Sequence, residues 1–255
     1  PNRVDSDGDG LDDRVERDYQ SDPASAESLP ELDDGLLAYW PLDEGTDDYL
    51  GVYHGQKRGV EVRFEEGRFG QGVLFNGRDT AIEIVGGDEQ DFDFVGESFA
   101  ISLWIRIDPH PLLALCEDCF PLYGLLSKGY FDSGPALYIS NGRLNFSRSG
   151  LAGAELPVGD KLMHHVLANV DARNRSAQIY FDGELIKTGE ADIVDTSKRL
   201  WIGAHEGPDR SPRDLIHFAG LIDDVAIWRR PLAPKEIERI SKEDRSIKDL
   251  AQLDS

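Results

Sequence analysis

Residues 220–232, GLIDDVAIWRRPL, set two adjacent carboxylates inside a run that is apolar on both sides. Strict alternation sends Leu221, Asp223, Val225 and Ile227 one way, and Ile222, Asp224, Ala226 and Trp228 the other. Large apolar groups on both faces predict a strand covered on both sides, as in a packed sandwich. A carboxylate in such a strand must reach water at an edge, a cationic partner or a metal ion. One of the two aspartates is read as a metal ligand.

About thirteen β-type runs lie between residues 35 and 240, punctuated by Gly- and Asn-containing turns. Asn141-Gly142 and Asp182-Gly183 sit between short runs and predict two-residue hairpins. Phe99, Ile101, Leu103 and Ile105 share one face of FAISLWIRID and predict a half-buried antiparallel strand. Many short strands without intervening helices mean an all-β, two-sheet antiparallel sandwich. After RRPL, Pro234 suits the first turn of a short helix over 233–242, with Ile237 and Ile240 on one face. Residues 243–255 are polar, and are expected to be loose or a helical extension toward another domain. A length of 255 residues holds one such domain, over 35–242, plus an appendage.

The appendage has its own chemistry. Residues 1–34 carry twelve acidic and three basic side chains. From Asp5 to Glu16 they read DSDGDGLDDRVE, an ungapped match to D-x-D-x-D-G-x5-E. Calcium takes six or seven oxygens in a tight loop. Asp5, Asp7 and Asp9 supply side chains at alternate positions, Gly10 permits the sharp turn, and Leu11 offers its carbonyl. Asp13 acts directly or through water, and Glu16 closes the shell. A helix is expected from about Asp12 to Tyr19, stopped by Ser21-Asp22-Pro23. Only four residues precede Asp5, so the entering helix of a complete EF-hand is missing from this chain. The segment 1–23 resembles the calcium repeats of thrombospondin type 3 and of dockerins. That resemblance implies a calcium-stiffened element ahead of a globular module, joined to it by the Ser-, Pro- and acid-rich linker 24–34.

The formal charge of −22 opposes nucleic acid, anionic membranes and acidic polysaccharides as general partners, and favours cations. There is no signal peptide and no run of 18 apolar residues, so membrane insertion is not expected. The chain begins at Pro1 without a Met, and is read as excised from a larger precursor with neighbouring domains. Cys116 and Cys119, in C-E-D-C, lack the second pair that a zinc site needs. They are read as a short disulfide pinching the 109–122 loop, with reduced thiols as the alternative.

Eight pieces in order carry a wider resemblance. They are LLAYWPLDEG (36–45), GRFGQGVLFNG (67–77), FAISLWIRID (99–108), GLLSKG (124–129), MHHVLANVD (163–171), IYFDGELIKTGEA (179–191), RLWIGA (199–204) and the 220–232 stretch. Residues 35–240 resemble the laminin-G-like family with the concanavalin A-like jelly-roll. This implies a structural calcium whose carboxylate is Asp223, with a carbonyl from Asn76 or Gly77 and a contribution from Asp43.

The fold hosts lectins, glycan-cleaving enzymes, adhesion modules and spacers alike. The carboxylate pairs of its hydrolases, E-x-D-x-E or E-x-D-x-x-E, are not found, and DEQDFDF (88–94) reads as a loop. His164 and His165 are read as packing residues, so the chain is not expected to be an enzyme. Trp40, Trp104, Trp201 and Trp228 lie inside alternating strands and are read as core. Two loops are candidates for ligand contact. SKGYFDSG (127–134) offers Tyr130, Phe131 and Asp132. HEGPDRSPRD (205–214) offers His205, Asp209 and Arg210. The expectation is an exported calcium-binding module, extracellular or on a cell surface, that binds a glycan or an extracellular protein. The alternatives are a ligand-free spacer and an atypical glycan-active enzyme.

Overall fold

The computed structural model describes residues 5–60, 62–109, 122–129, 134–147, 151–190, 193, 198–206 and 215–253. Two antiparallel sheets face each other. The first runs β13 (Glu184–Gly189), β12 (Ser176–Phe181), β11 (His164–Asp171), β6 (Phe99–Ile107), β17 (Ala219–Trp228), β4 (Gln71–Asn76), β3 (Arg63–Glu66), with β1 (Leu36–Trp40) also paired to β17. The second runs β10 (Leu151–Glu155), β9 (Arg143–Phe146), β8 (Ala136–Ser140), β7 (Leu122–Lys128), β14 (Leu200–Ile202), β5 (Ala81–Ile84), β2 (Gly55–Arg58). A two-stranded ribbon of β15 (Ala204–Glu206) and β16 (Leu215–His217) stands beside them. This is the two-sheet antiparallel sandwich that the alternating pattern predicts, in the jelly-roll form that the resemblance implies. Both predicted hairpins form, and their central residues have the positive φ that a two-residue turn requires: Asn141 +53°, Gly142 +70°, Asp182 +49° and Gly183 +79°.

The core lies between the sheets. Ile82, Ile101, Leu103, Ile105, Leu126, Leu137, Phe146, Val166, Ile179, Ile202 and Ile222 are all buried there. A second apolar layer covers the outside of the first sheet. Leu32, Tyr39, Ala100, Leu167, Trp228, Ile237, Ile240, Ile247 and Leu250 meet in it. That layer explains why β17 is apolar on both faces. It also makes β6 buried on both faces rather than half-buried. Its cover comes from Leu32 and from two helices, α2 (Pro234–Lys242) and α3 (Ile247–Leu250). The C-terminal segment is therefore folded back on the sheet through Ile247 and Leu250, rather than loose. Leu32 is 1% exposed, so the Ser- and Pro-rich stretch before β1 is packed down as well. Trp228 Nε1 donates to the Leu32 carbonyl at 2.7 Å.

β17 does not alternate strictly. Its register against β6 shifts between Asp223 and Ala226, and Asp224 has φ +52°. Ile222, Val225 and Ile227 face the inter-sheet core, while Ala226 and Trp228 face the outer layer. One extra residue, a β-bulge, has reversed the phase between Ile222 and Val225. The bulge falls on the two aspartates and frees both from the core.

At the other end of the chain, α1 (Asp13–Asp18) is capped by the Asp12 carboxylate, which accepts from the Arg14 amide at 2.8 Å. Leu11 and Val15 pack on Ala233, just before α2. A Cβ on Gly10, at φ +98°, would come 2.8 Å from Pro234 Cδ, so the glycine permits both the turn and this close approach. No helix among the described residues is long and apolar enough to cross a membrane.

Candidate functional site

The acidic loop lies just ahead of α1. Asp5, Asp7 and Asp9 each bring a carboxylate oxygen to within 4.8 Å of the others. Asp5 accepts from the Gly8 amide at 2.7 Å and Asp9 from the Leu11 amide at 2.8 Å, which tightens the backbone around them. Glu16 is fully buried, on the first helical turn. Both of its carboxylate oxygens, together with Asp7 Oδ2 and Asp9 Oδ2, are buried without a hydrogen-bond partner. Such groups carry a desolvation cost of kilocalories each. Burial pushes the Glu16 carboxyl up to about 7, and the charges of Asp9 and Asp7 add to it. Asp13 is already engaged: Ser6 donates to it through its amide at 2.7 Å and its hydroxyl at 2.8 Å, and Arg17 at 3.1 Å.

A second carboxylate cluster sits at the β17 bulge. Asp223 is fully buried, and its Oδ2 accepts from the Arg68 amide at 2.7 Å and the Phe69 amide at 3.0 Å. Those amides belong to the turn between β3 and β4, closed by Gly67 N–H to Gly70 C=O at 3.1 Å. Asp223 Oδ1 is buried without a partner. Asp43 closes over the same turn: a Cβ on Gly70, at φ +71°, would sit 2.0 Å from Asp43 Oδ1, which accepts from the Gln71 amide at 2.9 Å. Burial pushes Asp223 up to about 8, against the Phe69 amide and together with the charges of Asp224 and Asp43. Asp224 turns the other way, accepting from the Tyr39 hydroxyl and from the Ile247 amide.

Asp43 and Asp223 are thus brought together, but Gly77 is not. Gly77 donates to the Phe218 carbonyl beyond the far end of β4, five residues from the Gly72 position that lies beside Asp223. At strand spacing that is roughly 17 Å. The backbone near Asp223 belongs instead to residues 67–70. The signal for it was present as GRFG, two glycines around a two-residue turn between alternating runs.

The rim residues divide. Tyr130, Phe131, Asp132, Asp209 and Arg210 lie outside the described residues, as do Cys116 and Cys119. His205 is placed on β15 and is 1% exposed, a position inside the fold rather than on a rim. Of the paired histidines, His165 is buried against the Ser102 hydroxyl at 2.8 Å, and burial takes it down to about 3. His164 is held between Asp182 at 2.7 Å and Asp160 at 2.9 Å.

Solved structures share this fold. Domain 4 of AbnA, a GH43 extracellular arabinanase from Geobacillus stearothermophilus, solved in complex with arabinotriose, matches at TM-score 0.58 and 18% identity, covering 81% of this chain and 98% of that one. The binding domain of Paraclostridial Mosquitocidal Protein 1 matches at TM-score 0.64 and 15% identity, covering 82% and 52%. The binding domain of botulinum neurotoxin DC in complex with SialylT matches at 0.61 and 16%, covering 84% and 52%. The chain thus spans about half the length of the toxin structures. The expectation that the chain is not an enzyme is corrected by the first of these. The fold is shared by a domain of a glycan-cleaving enzyme and by toxin binding domains, and does not decide enzyme status. No curated protein matches the chain in sequence. The family model described as the concanavalin A-like lectin/glucanases superfamily, of laminin-G type, matches residues 76–238, and the chain belongs to that family.

Proposed function

We propose that this chain is a calcium-binding recognition module of an extracellular or cell-surface protein, and that its ligand is a glycan. The observation that carries the calcium part is the set of buried, unpartnered carboxylate oxygens on Asp7, Asp9 and Glu16, gathered around one loop. A divalent cation gives all of them a partner at once. The first ion would be held by Asp5, Asp7, Asp9, the Leu11 carbonyl and Glu16, with Asp13 acting through water, since its own oxygens already serve Ser6 and Arg17. A second ion would take the unpartnered Asp223 Oδ1, Asp43 and carbonyls of the 67–70 turn. When bound, calcium supplies charge compensation and rigidity, fastening the N-terminal loop and the β3–β4 turn to the sandwich. The glycan part is supported by the family and by structural neighbours solved with arabinotriose and with SialylT.

The test is isothermal titration of calcium into chelator-stripped protein, paired with a thermal melt. The expected result is two sites, with a clear rise in melting temperature. One site that is lost in Asp7→Asn removes the Asp223 ion. No binding removes both. A glycan array in calcium buffer then tests the ligand class, and silence across the array refutes it.

A further inference from the structure

The outer face of the second sheet carries a pocket that neither calcium position uses. Trp201 on β14 stands opposite Glu83 on β5, and Arg58 lies at the end of the neighbouring β2. These side chains point away from the inter-sheet core. Trp201 packs instead with Ala81, Ala204 and Leu215, a small cluster under the β15–β16 ribbon. Together with Arg199, Lys198, Glu206 and His217 they wall a cavity of about 650 Å³. That volume falls within the range of small-molecule sites.

Charged side chains share the walls with a larger apolar area. Glu83, only 6% exposed at its side chain, is clamped between Arg58 and Arg199. The Arg58 Nε contact is 2.6 Å. Lys198 pairs with Glu206 at 2.9 Å. Asp79 at the rim accepts from Asn76 Nδ2 at 2.7 Å. His217 donates through Nδ1 to the Thr80 carbonyl at 3.0 Å, which leaves Nε2 as an acceptor. Burial lowers its pKa, which favours the neutral ring. The Trp201 indole N–H is buried without a partner. The pocket therefore offers guanidinium donors beside carboxylate and imidazole acceptors, which together complement hydroxyls, since each hydroxyl both donates and accepts. Among the described residues it has no surplus positive charge for an anion: Arg58, Lys198 and Arg199 balance Asp79, Glu83 and Glu206. The chain's −22 adds long-range repulsion.

We infer that this pocket binds an uncharged oligosaccharide through hydroxyl contacts to the Arg58–Glu83–Arg199 clamp beside Trp201. The inference rests on the glycan reading above and gives it a location and a ligand class. It predicts that removing Glu83 takes the shared carboxylate away from Arg58 and Arg199 and turns the pocket toward anionic sugars.

The test titrates the full chain, in calcium, with neutral arabino-, xylo-, cello- and galacto-oligosaccharides, and with sialyllactose and a glucuronate trimer. Binding is followed by calorimetry and by tryptophan fluorescence. Arg58→Met and Arg199→Met replace side chains that are 41% and 50% exposed, so the fold should tolerate both. A melt checks each variant. The expected result is a neutral ligand bound by the native chain, weakened at least about tenfold in both variants. Glu83→Gln should lose that ligand and gain sialyllactose or glucuronate. Trp201→Phe should abolish the fluorescence response while the calorimetric signal still reports binding. A neutral glycan held equally well by both arginine variants overturns the pocket and leaves the glycan reading standing. Preference of the native chain for the anionic sugars overturns the ligand class. No glycan bound by the native chain overturns the glycan reading itself, and the pocket with it.

Discussion

Arg230 is the residue whose loss should be felt most. Its side chain is 1% exposed and forms a two-pronged ion pair with Glu236, itself fully buried, at 2.7 and 2.9 Å. The same guanidinium donates to the carbonyls of Asp34 at 2.7 Å and Glu31 at 3.0 Å, and stacks over Tyr19 at 5.6 Å. Glu236 in turn accepts from the Ala233 amide at 2.8 Å, capping α2. Arg230→Met keeps most of the volume but leaves a buried carboxylate without its cation and takes the guanidinium donor from the carbonyls of Asp34, Glu31 and Pro231, of which Glu31 keeps the Asp34 amide. Breaking such a pair costs about 3–5 kcal/mol, and about 4 kcal/mol here would lower Tm by roughly 8–16 °C for a chain of this length. Adding Glu236→Gln removes the stranded charge yet keeps an oxygen for the Ala233 amide. The double variant should therefore recover about 1–3 kcal/mol of the loss. Equilibrium urea unfolding in chelator, free of metal linkage, measures both. A single-variant cost below about 1 kcal/mol, or a double variant no more stable than the single, would refute the idea that a buried charge is what Arg230 holds.

Glu16→Gln should weaken calcium at the loop by at least about tenfold, because a bidentate charged ligand is lost. In chelator its melt should not fall, because an unpartnered buried carboxylate has gone; unchanged calcium affinity would contradict the ligand assignment. For His164, burial pulls the imidazole down, but its hydrogen bonds to the accepting carboxylates of Asp182 and Asp160 outweigh it and leave the pKa raised above the usual 6.5. Such a group adds stability below the unfolded-state value that is lost as pH rises through the folded-state value. Urea unfolding from about pH 5 to pH 8 should show this fall, and His164→Gln should flatten it. Tyr39→Phe takes the hydroxyl donor from buried Asp224, and should cost about 1–3 kcal/mol and raise hydrogen exchange in the segment around Ile247.

Much of the fold was legible because period-two patterning and turn residues are local. Asn141-Gly142 and Asp182-Gly183 declared their turns by composition alone. The β17 bulge was not legible, because a bulge leaves no mark in an alternating string: Asp223 and Asp224 look like successive positions of one strand. Its cause is long-range, in the Arg68 and Phe69 amides on one side and Tyr39 and Ile247 on the other. The same holds for the outer apolar layer. Leu32, Ile237 and Ile247 are each an isolated hydrophobe in a polar neighbourhood, and only topology brings them onto one sheet. The acidic loop is the most local of the proposed sites, since its carboxylates fall within twelve residues. The Arg58–Glu83–Arg199 clamp was the least, because its members are separated by 25 and 116 positions.

The central place of β17 has a consequence for how the molecule is made. This strand hydrogen-bonds to β1, β4 and β6, which lie between about 110 and 190 residues earlier in the chain. Until residues 219–228 have left the ribosome, the first sheet has a vacant slot, and β4 and β6 each present a raw edge. Synthesis runs at about 5–20 residues per second, so that interval lasts on the order of ten seconds. Closure then waits on loops among the costliest in the chain, so folding is expected to be slow and nearly all-or-none. A chain truncated before Ala219 should aggregate rather than yield a smaller folded unit.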